Sequence, residues 1–194
     1  MQRRTFLKVG FLSIGAVAVQ NSAYALKYYP KASNKKCAVV YSTWCGSSRD
    51  AAVWISEGMG GIADVFDVRE NPDLTSFDHI VIGGSIRQME TSQELQAYIR
   101  VHKEELSKKV RGLFVVCGNM QRPVGPSEKE RFIDKHLAVL CAVQNVPSRV
   151  FLGRITKCLL EPEAAKLLVN FEDYDNLKRS ECLAFGKEIV QTLP

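Results

Sequence analysis

The run Ser42-Thr43-Trp44-Cys45-Gly46-Ser47-Ser48 gathers hydroxyls around a single glycine. It follows the apolar β-type run Cys37–Tyr41 and precedes a stretch with Ala51, Ala52, Ile55 and Met59 at helical spacing. Hydroxyls and free backbone N–H groups at a helix N-terminus make an anion site, and the helix dipole favours negative charge there. Gly46 lets the backbone close tightly round such an anion. The turn holds no lysine, and Arg49 is its nearest charge. It lacks both the Lys-Ser/Thr ending of a nucleoside-triphosphate loop and a G-x-G-x-x-G pattern. Binding by hydroxyls and amides suits a monophosphate better than a triphosphate held with magnesium. The same residues also read as a hydroxyl-rich helix cap with no ligand.

Other reactive residues carry less. The six cysteines form no CxxC pair and no zinc-type Cys/His spacing, and His79, His102 and His136 are scattered, so no metal site is expected. Cys37, Cys117, Cys141 and Cys182 lie in apolar runs and are expected as buried free thiols. Cys45 is either a redox thiol activated by the helix N-terminus or a small filler. No acid–base dyad or nucleophile–base pair stands out, so no catalytic side chain is assigned.

The elements that would position the turn alternate in type. Apolar strands are expected at 37–41, 63–68, 80–82 (ending in Gly83-Gly84), 113–117 and 149–152. Between them the spacing predicts helices over 48–59, 92–108 and 127–143, and a closing helix over 174–193. Alternation implies parallel pairing with right-handed crossovers, and continuous apolar strands imply a sheet covered on both faces. The fold class is therefore α/β, a three-layer sandwich on a five-stranded parallel sheet. Ligands of such sheets bind beyond the strand carboxyl ends, which selects residues 42–48, 83–90, 117–123 and 153–157. Residues 157–173 fit this scheme poorly, and a short extra helix over 162–169 is the reading for them.

Length and charge bound the rest. The 194 residues suffice for one core, and 46% hydrophobic with 24% charged residues is ordinary for a globular domain. Residues 1–25 contain Arg3, Arg4 and Lys8 and no acid, which leaves +2 of the formal +5 on the remainder. No clustered basic face is evident, and nucleic acid is not expected as a partner. The opening Gln2-Arg3-Arg4-Thr5-Phe6-Leu7-Lys8, the apolar run Val9–Val19 and Ala23-Tyr24-Ala25 have the order of an export signal. The paired arginines resemble the twin-arginine signal of folded export, with Gln2 where Ser or Thr is usual. The expected division is a signal peptide over 1–25, a linker over 26–36 and one domain over 37–194. The expected location is periplasmic or otherwise exported, with membrane association if the signal stays uncleaved.

Strand, Ser-Thr-x-x-Gly-x-Ser and helix together resemble the flavodoxin phosphate loop. Phe77-Asp78-His79-Ile80-Val81-Ile82-Gly83-Gly84-Ser85-Ile86-Arg87 resembles the matching strand and flavin-edge loop. The pair is most similar to the flavodoxin-domain branch that contains menaquinone-dependent protoporphyrinogen dehydrogenase, over about residues 37–193 and strongly over 37–118. The resemblance implies strand order 2-1-3-4-5 and flavin mononucleotide (FMN) as cofactor. It implies a phosphate held by Ser42, Thr43, Gly46, Ser47 and Ser48, with Trp44 either over the ribityl chain or ring or packed at the mouth. It implies an isoalloxazine bordered by Gly84, Ser85, Ile86, Arg87, Gly118, Asn119 and Met120, with Met89 or Met120 in place of a stacking aromatic. The implied function is an exported FMN-binding oxidoreductase or electron-transfer protein. Its implied partner is a redox protein or a quinone-like small molecule, with contact to the membrane surface or a membrane protein. Protoporphyrinogen oxidation is not assigned, because the region after residue 153 does not match that enzyme. The alternative is a binding domain that keeps the fold and has lost the flavin.

Overall fold

In the computed structural model, residues 30–118, 123–160, 162–170 and 172–194 are described. The segments expected as export signal and as the start of the linker, together with Asn119 and Met120, lie outside them. Five strands pair in parallel in the order β2-β1-β3-β5-β6. They are β1 (Cys37–Ser42), β2 (Ala63–Asp67), β3 (His79–Arg87), β5 (Val110–Cys117) and β6 (Ser148–Leu152). Counted alone, these long strands give the expected 2-1-3-4-5. The short β4 (Glu90–Thr91) folds back antiparallel on β3.

Period-two alternation assigns each strand residue to a face. Ala38, Val40, Ile80 and Ile82 face a layer built by α2 (Gln93–Val101), α3 (Lys103–Lys109) and α4. Helix α4 is continuous over 126–141: α-helical at Pro126–Lys129, π-helical at Glu130–Leu137 and α-helical again at Ala138–Cys141. On the opposite face, Val39, Tyr41, Val81 and Phe114 pack against α1 (Ser47–Gly58) and a C-terminal helix over Arg179–Thr192. A second small sheet pairs β7 (Arg154–Ile155) with β8 (Tyr174–Asp175), and α5 (Pro162–Leu167) lies between them in sequence. The C-terminal helix is therefore α6.

Three boundaries differ from the sequence expectation. Strand β3 does not stop at Gly83-Gly84 but runs through them, with Gly83 opposite Tyr41 and Phe114. A Cβ on Gly83 would stand 1.9 Å from the Phe114 carbonyl oxygen, so the glycine admits a close neighbour rather than ending the strand. The helix expected over 92–108 is broken at His102, whose ψ of 17° divides α2 from α3. The closing helix starts at Arg179 instead of Tyr174. Tyr174 is held in β8, and Asp175 Oδ1 accepts the Leu177 N–H at 3.0 Å, turning the chain before α6 begins. The short helix foreseen near 162–169 is α5.

Candidate functional site

The chain leaves β1 at Ser42 and enters α1 at Ser47 through a turn that Gly46 closes with φ of 84°. Only glycine adopts that conformation without strain. The Gly46 N–H donates to Thr43 Oγ1 at 3.1 Å, and the Asp50 N–H makes the first helical bond, to the Gly46 carbonyl. The N–H groups of Ser47, Ser48 and Arg49 thus have no partner within the helix, and no side chain caps α1. Ser48 is fully buried, and its Oγ has no hydrogen-bond partner. A buried unpaired hydroxyl costs about 1–3 kcal/mol, which a ligand oxygen would offset.

A cavity of about 950 Å³ opens at this turn, at the upper end of the usual range for ligand sites. Of the residues expected at the site, Thr43, Trp44, Ser47, Ser48, Ser85, Ile86, Arg87 and Gly118 line it. Gly46 shapes the turn behind them. Ser42 and Gly84 lie beneath the cavity instead. Ser92 Oγ donates to Ser42 Oγ at 2.8 Å and accepts the Leu95 N–H, so Ser42 is fastened to the N-terminus of α2. Gly84 covers that serine; a Cβ there would stand 2.3 Å from Ser42 Oγ.

At the other end the Arg87 guanidinium stacks on Trp44, 4.2 Å from the ring centroid. Arg87 also donates to Ser85 Oγ at 3.2 Å and to the Glu94 carboxylate at 3.1 Å. Burial pushes the Glu94 carboxyl up, but its own backbone N–H, Arg87 and Ser92 outweigh this and hold it below the usual range. Beyond Arg87, Gln88 (φ 49°) and Met89 (φ 75°) make a two-residue hairpin turn into β4. Such a turn normally carries Asn or Gly, so nothing in Gln-Met announced it.

Arg154 and Ile155 of β7, from the stretch 153–157 expected at the strand ends, border the same cavity. The rest of the wall, Leu160, Leu167 and Leu168 around α5, comes from residues the sequence did not single out. Phe132, on the π-helical turn of α4, also borders it; π-turns are frequent at functional sites. The Arg154 N–H donates to Ser47 Oγ at 3.2 Å, and its carbonyl accepts from Cys45 Sγ at 3.3 Å. Tyr174 OH is buried without a partner, and burial, with Cys45 adding to it, pushes its phenol to about 12. All six cysteines are free, and Cys158 is the exposed one. Among the described residues, no group of His, Cys, Asp or Glu is placed to hold a metal ion.

A strand, a hydroxyl-lined turn with a glycine in the left-handed region and a helix N-terminus stand at the carboxyl edge of a 2-1-3-4-5 sheet. The model of the flavodoxin domain matches residues 38–157, more than half of the chain. The chain belongs to the flavodoxin domain family. Among solved structures it is similar to a WrbA-like flavodoxin from Agrobacterium tumefaciens, at 12% identity and a TM-score of 0.54. That match covers 81% of this chain and 96% of the other. It is also similar to a metal-soaked flavodiiron core from Synechocystis sp. PCC6803, at 11% identity and a TM-score of 0.50, covering 81% of this chain and 35% of that one. The chain thus spans about a third of the flavodiiron protein. At these identities the likeness is one of fold. No curated protein matches the sequence significantly.

Proposed function

We propose that this flavodoxin-family protein binds FMN in the cavity at the end of β1 and acts as an exported redox protein. The observation that carries the reading is the unpartnered, fully buried Ser48 hydroxyl in a turn of free N–H groups. Those donors fit a phosphate. Thr43, Ser47 and Ser48 would hold it, and Gly46 would keep the turn closed. Ser85, Ile86, Arg87 and Gly118 would border the ring. The flavin, when bound, supplies reversible electron transfer. The chain's own residues orient it and exclude water: Trp44 is pinned by Arg87, and Arg87 by Glu94. Arg87 is a fixed positive charge favouring an anionic ring or an acidic partner.

The lip formed by Met89, Leu160 and Leu167 is apolar, which favours a quinone-like small molecule as the redox partner. Export rests on the twin-arginine resemblance of residues 1–25, and folded export suits a protein that takes up a cofactor before leaving the cytoplasm. Kinship with the branch containing menaquinone-dependent protoporphyrinogen dehydrogenase rests on the spacing of the phosphate loop and the β3 segment.

The test is reconstitution of the purified full chain with FMN, followed by visible absorption. Bound flavin bands and one FMN per chain are expected, and Gly46→Val should weaken binding at least about tenfold by straining a left-handed position. A protein that stays colourless after reconstitution would overturn the reading.

A further inference from the structure

The cavity contains a cation that the phosphate turn itself does not supply. Arg154 comes from β7, more than a hundred residues beyond the turn, yet its main chain is fastened to Ser47 and Cys45. Its side chain is 17% exposed. A Cβ on Gly46 would stand 3.5 Å from Arg154 Nη2 and 3.4 Å from Arg49 Nη2, so two guanidinium groups converge on the turn.

We propose that Arg154 is the charge partner of the ligand's phosphate and makes this site select a flavin ending in a dianionic monophosphate. The assignment rests on the proposal that the cavity binds flavin. Guanidinium presents five N–H donors in a rigid fork that suits phosphate oxygens. Here Nη2 donates to Asp50, and Nη1 reaches Asp175 only at 4.0 Å. Nε is buried with no acceptor. Arg154 and Ser48 border the same cavity, and each carries a buried polar atom without a partner. Phosphate oxygens in the cavity would give these atoms partners and place their charge at the positive end of α1.

Asp50 and Asp175 repel a dianion, and Arg49 and Arg154 balance them in formal charge, so Arg154 is needed to keep the cluster locally neutral. Asp50 also keeps Arg49 at 3.1 Å if the Arg154 side chain is removed. The bonds from Arg154 to Ser47 and Cys45 are made by its main chain. Substituting the side chain therefore leaves the turn fastened and reads the charge alone.

The experiment titrates FMN and riboflavin into the full chain, as wild type, Arg154→Gln and Arg154→Lys, following flavin fluorescence quenching. Arg154→Gln should weaken FMN about 10- to 100-fold and leave riboflavin within about twofold, since a charge-assisted bond to phosphate is lost. Arg154→Lys should recover part of the FMN affinity, because it restores the charge without the fork. The loss should shrink at about pH 5, below the second phosphate pKa of about 6, where the ligand is a monoanion. Unchanged FMN binding by Arg154→Gln overturns the assignment and leaves the flavin reading standing. Equal loss of FMN and riboflavin also overturns it, by showing a structural role. A wild type that binds neither flavin removes the flavin reading, and this inference with it.

Discussion

Ser42 and Ser48 bracket one turn and have opposite fates. Ser42 shares the parity of Ala38 and Val40, which face the α2 layer, and its hydroxyl is spent on Ser92. Ser48 sits in the first turn of α1 with nothing to bond. Strand parity was available in the sequence and would have assigned Ser42 to the sheet's other face. The Trp44–Arg87 stack and the pairing of Arg154 with Asp50 were not legible, because each joins residues brought together by crossovers. A different residue, His79, is expected to make stability depend on pH near neutrality. Burial first, and then Arg111, hold the His79 imidazole below its ordinary value, and its Nδ1 is buried without a partner. As pH falls through about 6.5, the unfolded chain takes up a proton that the folded chain resists, so stability falls. Urea unfolding at pH above and below that value should show a larger drop for wild type than for His79→Gln. Equal drops would show that His79 does not contribute.

At the scale of elements, α1 and α6 meet through paired glycines. A Cβ on Gly58 would lie 2.3 Å from the Leu183 carbonyl oxygen, and one on Gly186 would lie 2.2 Å from the Ile55 carbonyl oxygen. The helical spacing of both stretches is plain in the sequence but this contact is not, since a glycine inside a helical pattern looks like a weakness until its neighbour is known. Gly186→Ala should therefore destabilise the domain by about 2 kcal/mol, because a clash with backbone puts overpacking at the upper end of roughly 1–3 kcal/mol, against about 1 kcal/mol gained in helix propensity. Chemical denaturation measures it, and a neutral or stabilising result would contradict the close crossing. That contact anchors α1, whose N-terminus presents the candidate phosphate site. The β3–β4 hairpin on the far side was hidden for another reason: Gln88-Met89 has none of the usual turn residues.

For the whole molecule, the alternation of apolar runs and amphipathic stretches was enough to give the layers, and the family resemblance supplied the strand order. Five buried parallel strands leave few topologies open. In the segment from Arg154 to Asp175 the short helix was legible but β7 and β8 were not, because two-residue strands carry too little periodicity to read. That segment supplies a cation and apolar groups to the cavity, so the molecule is a flavodoxin-type sandwich with a locally built wall. The central claim is that the turn over 43–48 encloses a flavin phosphate. Phosphorus NMR of the FMN-loaded full chain, with and without dissolved manganese, tests it most directly. The expected resonance stays sharp with manganese present and does not titrate near about pH 6, because the phosphate is enclosed and held as a dianion. A resonance broadened by manganese and titrating like free FMN would put the phosphate in solvent and contradict it.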